Sequence, residues 1–214
     1  MSARPLQGRC ALVFSPEVLQ KCRHVPHALS QVTGASSGIG EAIAKALAAA
    51  GAAVCCAARR IDRIEALATA LHREHGVSAV AIATDVTKRE SVKDCVKRAQ
   101  IALGLPICIL VNCAGVMHYT RMSQLHEDEW EQEVQVNCMG VLNGIGAVLQ
   151  GMIERKNGHI INMCDSNMCP CSFVDYSIVT ACIVQHFRRR QESFSRPCSV
   201  HARCLNRLTL PHFA

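Results

Sequence analysis

The stretch VTGASSGIG, Val32 to Gly40, decides how the rest of the chain is read. It places Gly34, Gly38 and Gly40 in the pattern TGxxxGxG. A turn between a strand and a helix must bend sharply and let backbone approach a bound phosphate, and glycine permits both. The helix that follows presents N–H donors and the positive end of its dipole to the anion. Ser36 and Ser37 add hydroxyls, and Ile39 continues the loop into the helix. A glycine pattern by itself also serves tight helix–strand packing, so its meaning rests on the surrounding sequence.

Downstream, short apolar runs alternate with amphipathic stretches. Ile39, Ile43, Ala46, Leu47 and Ala50 recur at helical spacing and stop at Gly51. Ala52–Ala57 reads as a buried strand, and Ile61, Ile64, Leu67 and Leu71 mark a second helix. Ser78–Ala83 reads as a third strand, Ser91–Ala102 as a third helix, and Ile107–Val111 as a fourth strand. Trp130–Ile153 is a long helical stretch, and His159–Met163 a fifth strand. Strands separated by helices of this length imply right-handed crossovers and a parallel sheet covered on both faces. The fold class is therefore α/β, a doubly wound parallel sheet of the Rossmann type.

With 214 residues, the chain reads as a single dinucleotide-binding domain over 1–214. Half the residues are apolar and 19% are charged, which excludes a disordered chain. The net charge of +6 carries no basic stripe interleaved with aromatics, so no nucleic-acid partner is expected. No apolar run approaches the roughly 20 residues that cross a bilayer, and CALVF near the start is too short for a signal peptide. A cytoplasmic location with no membrane partner follows, and the 14 cysteines are expected as reduced thiols.

Four motifs stand in order: TGASSGIG, then Asp85-Val86, then NCAG at Asn112–Gly115, then Asn137 within VNCMG. In this order and spacing the chain resembles the short-chain dehydrogenase/reductase family over residues 5–13 and 33–163. The resemblance implies an oxidoreductase that moves hydride between a nicotinamide cofactor and a small-molecule carbonyl or alcohol. It implies that Asp85 and Val86 contact the adenine, and that Asn112, Ala114 and Gly115 line the cofactor. Asn137 would hold the water of a proton relay. Dimers or tetramers are common in the family, so a homo-oligomer is a possible assembly. An acid at the end of the second strand favours NAD; this chain has Arg59 and Arg60 there, with no acid until Asp62, which favours NADP, with NAD second. Solvated charges at a helix start are the plainer reading of the same arginines.

The likeness ends near residue 163. The family chemistry uses a Tyr with a Lys four residues later, the cation lowering the phenol pKa, and a Ser that binds the substrate carbonyl. Here the tyrosine is Tyr176, position 180 is Thr180, and no lysine follows Lys156. Ser166 is the nearest hydroxyl to the fifth strand, three residues out of register. A catalytically inactive nucleotide-binding protein, or a defective gene product, is thus the alternative function. All 13 glycines lie at or before Gly158, and every positive charge after Lys156 is arginine, so residues 164–214 form an atypical tail such as a shifted reading frame would produce. The last strands of the family fold are expected to be missing, with Val179–Val184 as the one apolar element. Cys198, His201 and Cys204, with Cys182 and His186, could supply zinc ligands, but no paired CxxC spacing supports a metal site and none is expected.

Joining Val13 to Thr33 produces RCALVTGASSGIG, an unbroken strand and loop, so residues 14–32 read as an insertion. Either Cys10–Val13 supplies the central strand and the insert loops out, which costs little, or Ala28–Val32 replaces it and buries Gln31. The first arrangement is preferred.

Overall fold

The computed structural model describes residues 29–118, 120–165 and 198–205. Strands β1 (Leu29–Thr33), β2 (Ala53–Ala58), β3 (Ala79–Ala83), β4 (Ile107–Asn112), β5 (Gly158–Asp165) and β6 (Cys198–Leu205) form one parallel sheet in the order β3-β2-β1-β4-β5-β6. Between them lie α1 (Gly38–Ala49), α2 (Ile61–His75), α3 (Arg89–Leu103), α4 (Glu127–Glu133) and α5 (Gly140–Glu154).

Connection direction sets the two helical layers. The chain steps from β1 to β2 to β3 one way along the sheet, then from β3 across to β4 and β5 the other way. Right-handed crossovers therefore put α1 and α2 on one face and α3 and α5 on the other. The buried side chains agree. Ile43, Leu47, Ile64 and Leu71 pack on Val32, Val54 and Val111, whereas Cys95, Val96, Ile145 and Met152 pack on Leu29, Cys55 and Leu110. Residues 127–154 are long and apolar enough to cross a bilayer, yet 56% of the most apolar window is buried within the fold, as in the core helix of a sheet protein. Both layers thus support a doubly wound α/β sheet.

Three expectations change. First, β1 is Leu29–Thr33, not Cys10–Val13, so residues 29–32 belong to the sheet; residues 1–28 lie outside the described part. Continuity explains the choice: β1 runs directly into Gly34, whereas a strand ending at Val13 must close a 19-residue excursion, roughly 2–3 kcal/mol of loop entropy. The strand buries Ser30 and Gln31 at 0% exposure. Gln31 Nε2 donates to Cys95 Sγ at 3.7 Å, while Gln31 Oε1 and Ser30 Oγ have no partner among the described residues. Cys95 Sγ lies 3.9 Å from Cys55 Sγ. Their hydrogen bond, followed by burial, pushes the Cys55 thiol well up, and the same bond holds Cys95 down.

A buried acceptor without a donor costs about 1–3 kcal/mol, so Gln31→Met, similar in volume, is expected to stabilise the fold by about 1 kcal/mol. A rise in the urea midpoint checks this; a fall would mean that the amide oxygen has a partner.

Second, the sheet does not end at the fifth strand. Cys198–Leu205 pairs with β5 along its whole length, from Gly158↔Cys198 to Asp165↔Leu205. In sequence, CSVHARCL alternates apolar with polar residues, the period of an edge strand rather than of the buried runs elsewhere. Val179–Val184 lies outside the described residues.

Third, the long helical stretch is present as expected, over Glu127–Glu154, but its backbone is widened in the middle. A wide helical turn, Val134–Met139, joins α4 to α5 and contains Asn137. Such turns are uncommon and gather at functional positions.

Candidate cofactor-binding site

The carboxyl ends of β1, β2, β3 and β4 carry the sequence-predicted residues. β1 lies between β2 and β4, where the chain reverses its direction across the sheet, and ligands of such sheets bind at that crevice. Gly34 adopts φ +69°, and a Cβ there would stand 2.8 Å from Ala114 Cα. A Cβ on Gly40 would collide with the Gly34 carbonyl. Gly38, at φ +58°, faces open space, since a Cβ there would meet nothing within 4 Å. The loop is thus packed tightly from below and clear above. Ser37 is extended and Ile39 is 39% exposed, so α1 starts beside that open space.

Arg60 closes over this loop from the end of β2. Its Nε donates to Ser36 Oγ at 3.2 Å, and its Nη2 donates to Ser36 Oγ at 2.8 Å and Ser37 Oγ at 2.7 Å. Arg59, next to it, is exposed.

After β3, Asp85 accepts from the Thr87 N–H at 3.1 Å and from Thr87 Oγ1 at 2.8 Å, and Lys88 approaches it at 3.8 Å. The Asp85 N–H donates to Ser91 Oγ. Val86 packs on Gly140, where a Cβ would stand 2.9 Å from Val86 Cγ2.

At the end of β4, Thr33 Oγ1 accepts the N–H groups of Cys113 (3.0 Å) and Ala114 (3.2 Å) and donates to the Val111 carbonyl at 3.3 Å. One hydroxyl therefore ties the two central loops together. Asn112 Nδ2 donates to Asn162 Oδ1 at 2.9 Å across paired strands, and Asn112 Oδ1 presses against Gly144 with no donor. Burial pushes the Cys113 thiol up to about 11, so this residue stays protonated and unreactive near neutral pH.

Asn137 is 8% exposed and spends its amide on one residue. Its Oδ1 accepts the Val116 N–H at 2.8 Å, and its Nδ2 donates to the Val116 carbonyl at 2.6 Å. Gly115 lies against it, where a Cβ would stand 3.2 Å from Asn137 Oδ1. Asn137 thus shapes the loop after β4 directly. Ser166 and Tyr176 lie outside the described residues. Met117, beyond that loop, is 58% exposed.

Thr33, Asn143, Asn162, Gly140 and Gly144 complete the site and were not singled out from sequence. Polar residues inside otherwise apolar elements, and Gly140 and Asn143 three and six residues after Asn137, were the available signals.

A dinucleotide fits what is present: a glycine turn open above, a helix start beside it, and a guanidinium at the β2 end. The fold defines a Rossmann-type α/β protein. The short chain dehydrogenase family model matches residues 29–176, and the chain belongs to that family. The match begins at β1, so residues 5–13 fall outside it, and it runs past residue 163. The chain is 50% identical over 130 residues to a glycine betaine reductase of Emericella nidulans, covering 61% of this chain and 10% of that protein. It is 48% identical over 130 residues to an oxidoreductase of Listeria innocua, covering 61% and 52%. The chain therefore spans about half the length of that bacterial relative and a tenth of the fungal one. An alcohol dehydrogenase of Thermococcus sibiricus, solved in complex with 5-hydroxy-NADP, superposes with a TM-score of 0.72 at 28% identity, over 82% of this chain and 74% of that one.

Proposed function

We propose that residues 1–214 act as a single dinucleotide-binding domain that takes NADP in preference to NAD and exchanges hydride with the carbonyl or alcohol carbon of a small molecule. The observation that carries the cofactor preference is Arg60, held at the β2 end by Ser36 and Ser37, with no acid in the sequence from there until Asp62. A guanidinium there suits a 2′-phosphate, and an acid would repel it. Gly34, Ser36, Ser37, Gly38, Ile39 and Gly40 cradle the pyrophosphate; Arg59 and Arg60 meet the 2′-phosphate; Asp85 and Val86 meet the adenine; Asn112, Ala114 and Gly115 line the nicotinamide side.

The bound cofactor supplies or accepts the hydride. In this reading Ser166 donates a hydrogen bond to the substrate oxygen and Tyr176 exchanges its proton, while Asn137 keeps the loop after β4 in place. The solved relative with 5-hydroxy-NADP supports the phosphorylated cofactor. Free thiols at all six cysteines with described burial fit a cytoplasmic setting. The proposed substrate is a small molecule, with no nucleic acid or membrane partner, and the proposed assembly is a homo-oligomer.

Titration with NADPH and NADH, followed by nicotinamide fluorescence, tests the preference. Arg60→Ala is expected to weaken NADPH about tenfold, the loss of one charge-assisted contact of about 1.5 kcal/mol, and to leave NADH nearly unchanged. Equal weakening of both would remove the 2′-phosphate role. Thr180 in place of a lysine favours a second reading, a nucleotide-binding protein without turnover. Tight NADPH binding with no carbonyl-dependent oxidation would select it.

A further inference from the structure

We infer that Asn143 is a positioning residue for the adenosine half of the cofactor, acting through the turn after β3; the inference rests on the dinucleotide reading above. Asn143 sits on α5 and is 6% exposed, a buried polar side chain in an apolar helix. Its Nδ2 donates to the Val86 carbonyl at 2.9 Å and to the Thr87 carbonyl at 3.4 Å. These carbonyls belong to the turn Asp85–Lys88, closed by the Lys88 N–H on the Asp85 carbonyl at 3.1 Å.

The turn is fixed from two directions. From within its own β3–α3 unit, Ser91 Oγ takes the Asp85 N–H, and Thr87 takes one Asp85 carboxylate oxygen. From outside, Asn143 holds the far side of the same peptides, and Gly140, one turn earlier on α5, leaves room for Val86. A carboxylate selects an adenine edge only if its position is set to within a fraction of an ångström, which local turn bonds alone do not do for a half-exposed loop.

Residue spacing gives the arrangement a further consequence. Asn137 clamps Val116 in the loop after β4, and Asn143, six residues on, clamps Val86 and Thr87 in the loop after β3. One helical segment thus sets the spacing between the two loops that line opposite halves of a dinucleotide.

The test uses the full chain and adenosine 2′,5′-bisphosphate, the adenosine half alone, with affinity read by calorimetry. Asn143→Leu, near-isosteric and without a donor, is expected to weaken binding five- to tenfold. Asn143→Gln, which keeps the donor, is expected to recover most of that loss. In an Asp85→Ala background, Asn143→Leu is expected to add nothing further, because both residues act through one contact. Unchanged affinity in Asn143→Leu, losses that add in the double variant, or a loss in Asn143→Leu without one in Asp85→Ala would each overturn the inference. No binding by the unaltered chain would overturn the dinucleotide reading with it, so the two failures are distinguishable.

Discussion

Thr33→Val is expected to destabilise the protein by about 2–4 kcal/mol although it removes one oxygen and preserves shape. The hydroxyl accepts two backbone N–H groups, those of Cys113 and Ala114, and Thr33 is only 2% exposed. Valine leaves both donors without an acceptor, each costing about 1–3 kcal/mol where water cannot reach. The bonds span 80 and 81 residues, so their loss also frees the loop after β4 from the loop after β1. Urea unfolding followed by circular dichroism measures the effect. A loss below about 0.5 kcal/mol would show that water or another acceptor serves those N–H groups.

Gly40→Ala is expected to lower dinucleotide affinity about 10- to 100-fold and to cost about 1–3 kcal/mol of stability. Its Cβ would strike the Gly34 carbonyl and lie 3.2 Å from the Ala35 nitrogen, all backbone atoms that cannot rotate away. Either α1 retreats or the loop deforms, and both move the N–H groups that would face phosphate. Gly38→Ala is the internal comparison. Its Cβ meets nothing, so its stability cost is the left-handed backbone alone, about 1–2 kcal/mol. A larger stability loss for Gly38→Ala than for Gly40→Ala would mean that the loop is not packed as described.

Much of the frame was legible residue by residue. Ile43 and Leu47 at helical spacing announced α1, the run Ala52–Ala57 announced β2, and Ile107–Val111 announced β4, each within a residue or two of its observed bounds. Gly34 and Gly40 were identified by pattern, and their steric need is visible in the packing. Other features were not legible. β1 was assigned to Cys10–Val13, because Ala28–Val32 would bury the Gln31 amide in a central strand; continuity with Gly34 outweighed that cost. β6 was missed because the search was for a buried run, whereas CSVHARCL carries the alternation of an edge. Asn143 passed unnoticed because an asparagine within an apolar helix reads as a blemish until its carbonyl partners are known.

By itself, the sequence determined the alternation of strand and helix, the glycine loop and the family to which the chain belongs. Those depend on local periodicity and on glycines at fixed spacing, which a linear reading contains. Only the tertiary structure decided which segment fills the centre of the sheet, what Thr33 and Asn137 hold, and how α5 braces two loops. Each of those depends on a donor and an acceptor tens of residues apart, and the periodicity of neither segment records the other.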